Sequence, residues 1–105
     1  MATPGLYRVF LDKGAQREIK SLEKNVRLLL EAALNALPQN PFPPNSKSLS
    51  HFYGCRRLRF AGDWRALYYV WPESRIIVVL CVGHRREIYR RREKVEQRLH
   101  TWSGI

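Results

Sequence analysis

Acidic side chains are scarce in this 105-residue chain: nine Asp and Glu stand against nineteen Lys and Arg, for a formal net charge of +10. Lysine is scarce as well, since fourteen of the nineteen basic residues are arginine. A surface built only for solubility favours lysine and interleaves the two signs. The imbalance therefore points to a polyanionic partner, nucleic acid first. Cysteine is limited to Cys55 and Cys81, far apart and in no CxxC pair, so both read as reduced thiols, Cys81 as a small buried hydrophobe. The three histidines, His51, His84 and His100, lack metal-ligand spacing, and neither a metal nor any other cofactor is expected. No apolar run approaches the roughly 18 residues of a membrane span; the longest is Ile76 to Val82. Met1 to Leu6 lacks the basic-then-apolar layout of a secretory signal, which predicts a cytoplasmic protein with no membrane partner. Internal repeats and low-complexity tracts are missing too. An apolar share of 45% argues against disorder and for a single domain over residues 1–105 with one modest core.

What the chain does have is concentrated between Gly54 and Arg92. That stretch holds ten arginines against Asp63, Glu73 and Glu87, so +7 of the total +10 sits in little more than a third of the length. Upstream, Leu6 to Leu11 reads as a short strand, and Asp12 as the N-cap of a helix beginning just after it. Ala15, Ile19, Leu22, Val26, Leu29, Leu30, Ala33, Leu34 and Leu37 have the three-and-four spacing of an amphipathic helix. Ser21 to Asn25 interrupts it, leaving one bent helix or a hairpin of two. Pro38 to His51 holds four of the six prolines and reads as a loop without chemistry, tacked onto the core by Leu49 and Phe52.

Arg56 to Phe60 alternates, with Leu58 and Phe60 facing one way and Arg57 and Arg59 the other, a half-buried strand with a charged outer face. Ala61-Gly62-Asp63 makes a tight connection to Trp64–Trp71 as an antiparallel neighbour. After a turn at Pro72 to Ser74, Ile76 to Val82 reads as a strand buried on both faces and hence central. Glu87 to His100 reads as a terminal helix, and Thr101 to Ile105 carry no signal. Together these elements make a small α+β fold, with one sheet face against the helices and the other open to a partner.

Strand-mounted arginines suit phosphate recognition, because each guanidinium is a planar fork that stays charged. Cations fixed beside a phosphodiester stabilise the charge that develops as it is cleaved. RNA supplies its own nucleophile in the 2′-OH, leaving the protein to position it and move protons. Tyr89 is the titratable candidate, and it could equally stack on a base. Arg65 lies within an apolar strand and must reach solvent, an acid such as Asp63, or a ligand. Arg57 and Arg59 either bind phosphate or solvate a strand face. Arg90-Arg91-Arg92 reads as a solvated helix face adding general attraction for RNA, and Trp64, Trp71, Tyr68 and Phe52 as packing aromatics.

The strand pair RLRFAGDWRALYYV, followed by VVLCVGHRREIY, resembles the RelE family of the RelE/ParE toxin superfamily. YRVFLDKGAQREIKSLEKNVRLLLEAAL is similar to that family's first strand and helix pair, so the likeness spans roughly residues 6 to 92. It implies a RelE-like fold of N-terminal strand, helical hairpin, three-stranded antiparallel meander and C-terminal helix. It also implies a toxin of a type II toxin–antitoxin pair, a ribosome-dependent endoribonuclease acting on mRNA, held in check by a cognate antitoxin that wraps its basic surface. Carried over residue by residue, the catalytic set is Arg57, Arg59, Arg65, Arg85 and Tyr89, with Arg56, Arg86 and Arg90 as further RNA-binding positions. The best-known members carry lysines where Arg57 and Arg59 stand, and arginine does not give up a proton. Water or His84 would have to protonate the leaving oxygen. Two alternatives remain open: a ParE-type inhibitor of DNA gyrase, which generally lacks the tyrosine and the full arginine set, and a noncatalytic nucleic-acid-binding module.

Overall fold

In the computed structural model, which describes residues 5–102, the seven-residue apolar run becomes the axis of the sheet. That strand, β5 (Ile76–His84), lies between β1 (Arg8–Leu11), parallel to it, and β4 (Trp64–Trp71), antiparallel to it. Beyond β4 come β3 (Arg56–Phe60) and β2 (Ser46–Ser48), giving the order β1-β5-β4-β3-β2. Residues Ile77 to Val82 are at most 1% exposed. A strand covered on both faces needs a continuous apolar run, whereas the half-covered β3 needs only alternation.

The helical spacing resolves into a pair, α1 (Lys13–Lys20) and α2 (Lys24–Ala36). Asp12 caps α1, its Oδ2 accepting from the backbone N of Gly14 at 2.7 Å. Ala15, Leu22, Leu30 and Leu37 close one face of the sheet over Leu58, Phe60, Ala66, Tyr68, Ile77 and Val79. Tyr68, fully buried there, donates its hydroxyl to Pro41 O at 2.7 Å, so no polar atom of its ring is stranded.

The opposite face is organised by an irregularity. Leu67 pairs with Cys81, yet Tyr68 pairs with Val79, so Leu80 is an extra residue in β5. Through this bulge Leu80 and Cys81 both join the second apolar layer, with Leu67, Val78, Phe52, Cys55, Ile88 and Val95. Past Leu67 the same face continues into Arg57, Arg59 and Arg65, and the bulge sets Arg65 opposite Gly83 near the end of β5.

Four expectations need correction. The Pro38–His51 stretch is not wholly loop: its Ser46–Ser48 segment pairs with Arg56, Arg57 and Leu58 as an edge strand, so the sheet extends past the three-stranded meander. Three polar residues carry no hydrophobic alternation, and pairing alone makes them a strand. The terminal helix is two helices, α3 (Arg85–Ile88) and α4 (Arg92–Thr101), separated by Tyr89–Arg91. Nor is the second face wholly open, because Ile88, Val95, Leu99 and Trp102 cover its apolar half, Trp102 stacking on Trp71 at 5.3 Å. The fourth concerns Arg91, which belongs with the site. Met1 to Pro4 and Ser103 to Ile105, parts of the two terminal stretches, lie outside the described residues. Among the described residues no helix is long and apolar enough to cross a membrane.

Candidate functional site

The turn between β3 and β4 is the fixed point of the charged end of the sheet. Ala61 and Gly62 both take left-handed backbone, φ 49° and 73°, a conformation glycine adopts without cost and alanine does not. The turn presents its carbonyls to arginines. Arg65 Nη1 donates to Gly62 O at 2.7 Å and to Trp64 O at 2.9 Å. Arg65, only 6% exposed, thus does not pair with Asp63: backbone oxygens take the hydrogen bonds of its Nη1, a solution that leaves the positive charge in place. Asp63 is engaged elsewhere. Its carbonyl accepts from Arg85 N at 2.8 Å, its Oδ1 lies 3.3 Å from Arg85 Nε, and its Oδ2 lies 3.9 Å from His84 Nε2.

Tyr89 closes the far side. It is the C-cap of α3, and its hydroxyl accepts from Arg57 Nη1 at 3.3 Å while its ring stands edge-on to Phe52 at 6.0 Å. The phenol is about two-fifths exposed, at 38%. Residues 32 positions apart in sequence are therefore joined at one hydrogen bond. His84 caps α3, its Nδ1 accepting from Arg86 N at 3.2 Å, with its ring edge-on to Trp64 at 5.5 Å.

Charge is left uncompensated at this end. Among the described residues, none of Arg57, Arg59 and Arg65 pairs with a carboxylate. Arg59 is set directly opposite Arg65 across the two strands, an arrangement that costs stability. The Nε atoms of Arg57 and Arg65 are buried without an acceptor, as is that of Arg56 on the other face. Unspent donors beside unpaired positive charge are what a phosphate would satisfy.

Not every residue singled out in the sequence joins this cluster. Arg85, on α3, is turned toward Asp63 at the rim. Arg86 and Arg90 are exposed, with their backbone N–H groups spent on His84 Nδ1 and Glu87 O. Arg56 lies across from Tyr68, on the other face from Arg57 and Arg59, donating to Ser46 Oγ at 2.9 Å and lying over the Phe42 ring.

Arg91 corrects the reading of Arg90 to Arg92 as a solvated helix face. The last β1 residue, Leu11, pairs with Val79, and beyond it this edge of β5 needs other partners. Side chains supply them: Glu18 accepts from Val82 N at 2.9 Å, Arg98 donates to Leu80 O at 2.8 Å, and Arg91 donates to Val82 O at 3.3 Å. The two arginines converge on Glu18, at 3.3 Å from Arg91 and 3.0 Å from Arg98. Burial alone would lower the Arg98 guanidinium pKa, but the negative charge around it, Glu18 foremost and Asp12 with it, more than offsets this and raises it. Glu18 was missed, though it lies three residues after Ala15 and four before Leu22, and an acid at that spacing on the covered side of a helix is the signal that could have found it.

Residues 9–89 match the family model described as the ParE toxin of type II toxin–antitoxin systems, parDE. The chain belongs to the RelE/ParE superfamily of type II toxins. Solved structures agree on the fold. The toxin is similar to the archaeal RelE–RelB complex of Pyrococcus horikoshii OT3, with 25% identity and TM-score 0.67 over 76% of this chain and 96% of that one. It is also similar to the RelBE2 toxin–antitoxin complex of Mycobacterium tuberculosis, at 27% identity and TM-score 0.65 over 76% and 99% of the two chains. A mutant of the Escherichia coli toxin RelE in the free state shares the fold at 23% identity and TM-score 0.72, over 88% of this toxin and 97% of that chain. No curated protein matches the toxin.

Proposed function

We propose that this toxin is an endoribonuclease that cuts mRNA on the ribosome. The hydrogen bond between Arg57 and Tyr89, beside the unpaired charges of Arg59 and Arg65, carries the reading. In the step that this arrangement supports, the 2′-oxygen attacks the adjacent phosphorus and loses its proton, and the bond from phosphorus to the 5′-oxygen breaks. That 5′-oxygen takes up a proton as it leaves. Tyr89 meets the ribose, orienting the 2′-OH or accepting its proton, while its exposed ring stacks on a base. Arg57, Arg59 and Arg65 bind the nonbridging oxygens, whose charge grows in the transition state. Arg85 joins them once substrate draws it from its exposed pair with Asp63, a contact worth little in water. Both His84 nitrogens already face partners, Arg86 N and Asp63, which favours water over His84 as the proton source for the leaving oxygen. Arg86 and Arg90 add long-range attraction for the RNA.

The solved neighbours that are complexes with an antitoxin support a cognate antitoxin as this toxin's partner. The cytoplasm, where ribosomes carry mRNA, is then its place of action. A second reading, inhibition of DNA gyrase, is favoured by the description of the matching family model as a ParE toxin. One experiment separates the two. Wild type, Tyr89→Phe and Arg57→Ala are induced in a bacterium, and the 5′ ends of cellular mRNA are mapped. Codon-phased cuts that fall by roughly 10²- to 10⁴-fold in the variants support the nuclease. Growth arrest with intact mRNA and broken DNA supports the gyrase inhibitor. RNA binding without cutting, with each variant binding only modestly more weakly, leaves a noncatalytic module.

A further inference from the structure

Tyr89 stands on a slight foothold. It caps a helix of four residues, α3, far below the length at which a helix is stable by itself. Beyond the hydrogen bond from Arg85 N to Asp63 O at its start, two anchors hold α3 against the sheet. One is Ile88, fully buried in the second apolar layer. The other is Arg91, two residues past Tyr89, whose backbone N–H donates to Ile88 O at 3.1 Å. Its Nη2 reaches Glu87 on α3 at 3.1 Å, and its Nη1 reaches Val82 O and Glu18, both at 3.3 Å. Gly83 makes room for this guanidinium, since a Cβ there would sit 3.1 Å from Nη1. Glu18 also accepts from Val82 N. A single carboxylate on α1 therefore holds the end of β5, from which α3 departs, and the arginine that closes α3. The Glu18 and Arg91 side chains are 18% and 26% exposed, so bulk salt screens their pairing less than it screens the exposed pairs of the rim.

We propose that Glu18 is a positioning residue for Tyr89: acting through Arg91, it sets where the phenol lies relative to Arg57. The catalytic consequence rests on the reading of Tyr89 as the group that meets the ribose, whereas the geometric one does not. Glu18→Gln keeps the side chain's length and one acceptor but removes the charge that draws in Arg91 and Arg98. With the Glu18 bond weakened, Arg91 keeps only Glu87 and Val82 O, and α3, held by Ile88 and by Arg85 N on Asp63 O, can pivot, carrying Tyr89 away from Arg57. A displacement near 1 Å at a reacting group costs on the order of 10²-fold in rate.

The test tracks Tyr89 directly. The protein is labelled with fluorotyrosine, the Tyr89 resonance is assigned from Tyr89→Phe, and wild type and Glu18→Gln are compared by fluorine NMR. In parallel, turnover is measured for Glu18→Gln in the wild-type and Tyr89→Phe backgrounds. The proposal expects the Tyr89 resonance to move while those of Tyr7 and Tyr68 stay. It also expects a fall in kcat on the order of 10²-fold with KM little changed, and no further loss in the Tyr89→Phe background. An unmoved Tyr89 resonance, or an equal loss of turnover in both backgrounds, overturns it. Should Glu18→Gln not fold, Gly83→Ala displaces Arg91 from the other side and is read by the same outcomes. If wild type cuts no RNA, the nuclease reading fails, and the fluorine spectrum alone decides whether Glu18 positions Tyr89.

Discussion

Arg59→Gln should make the protein more stable and less active. Arg59 and Arg65 are direct cross-strand partners, and neither has a carboxylate among the described residues. Like charges directly opposite on antiparallel strands cost roughly 0.2–1 kcal/mol. Two unit charges at the roughly 5 Å spacing of cross-strand Cβ atoms repel by about 0.8 kcal/mol in water, an upper bound for side chains this long. Glutamine keeps a long polar side chain on the exposed face and removes only the charge, so a gain of about 0.5–1 kcal/mol is expected at low salt. About 1 kcal/mol raises the Tm of a domain this size by roughly 4–8 °C. The gain should shrink toward zero at 1 M salt, where charges are screened beyond about 3 Å. Urea denaturation at both salt concentrations, with an unchanged m-value, measures it. RNA binding should weaken, with the slope of log K against log salt falling by about 0.7 for the one lost contact to a single strand. If Arg59→Gln destabilises at low salt, or stabilises equally at high salt, the pair is not held against its own repulsion. A preorganised phosphate site then has no support from charge repulsion.

Gly14→Ala should destabilise by about 1–3 kcal/mol despite alanine's better helix propensity. Its Cβ would fall on the Arg98 guanidinium, which Glu18, Asp12 and Leu80 O hold in place, and chemical denaturation reads the loss. Cys55 is fully buried, and burial pushes its thiol up to about 11 from 9.0. Above pH 9 the unfolded thiol loses its proton while the folded one keeps it. The contribution is therefore intact below pH 9 and is lost as pH rises through 11, amounting to at most about 2.7 kcal/mol. Denaturation curves across the alkaline range should fall more steeply for wild type than for Cys55→Ala, and both native cysteines should resist alkylation until the chain unfolds.

The fold was legible wherever one residue's burial pattern decides its element. The unbroken run at Ile76–Val82 belongs to a strand covered on both faces, and Leu58 and Phe60 against Arg57 and Arg59 to a strand covered on one. Asp12 was readable as a cap because capping needs only a short oxygen-bearing side chain beside a helix start. Elements decided by distant partners were not legible. Ser46-Lys47-Ser48 is a strand only because β3 offers it an edge. The break at Tyr89–Arg91 and the bulge at Leu80 depend on what packs beneath them.

The candidate site divides along the same line, and the division says something about how it works. An arginine such as Arg65 within an apolar strand announces itself in sequence, because a local rule is broken there with no local compensation. The compensation lies in parts of the chain that look ordinary. Gly62 and Trp64 contribute carbonyl oxygens to Arg65, a role no side-chain pattern can encode. Glu18 is a single acid on a helix, 64 residues from the backbone N–H it satisfies and 80 from Arg98. Neutralising the cluster from nearby would have been simple, since Asp63 stands at the turn between Arg59 and Arg65. It is bound instead to Arg85 at the rim. The acids thus hold the scaffold and the edge while the centre keeps its charge, the distribution a site needs if its counter-charge is to arrive with the substrate.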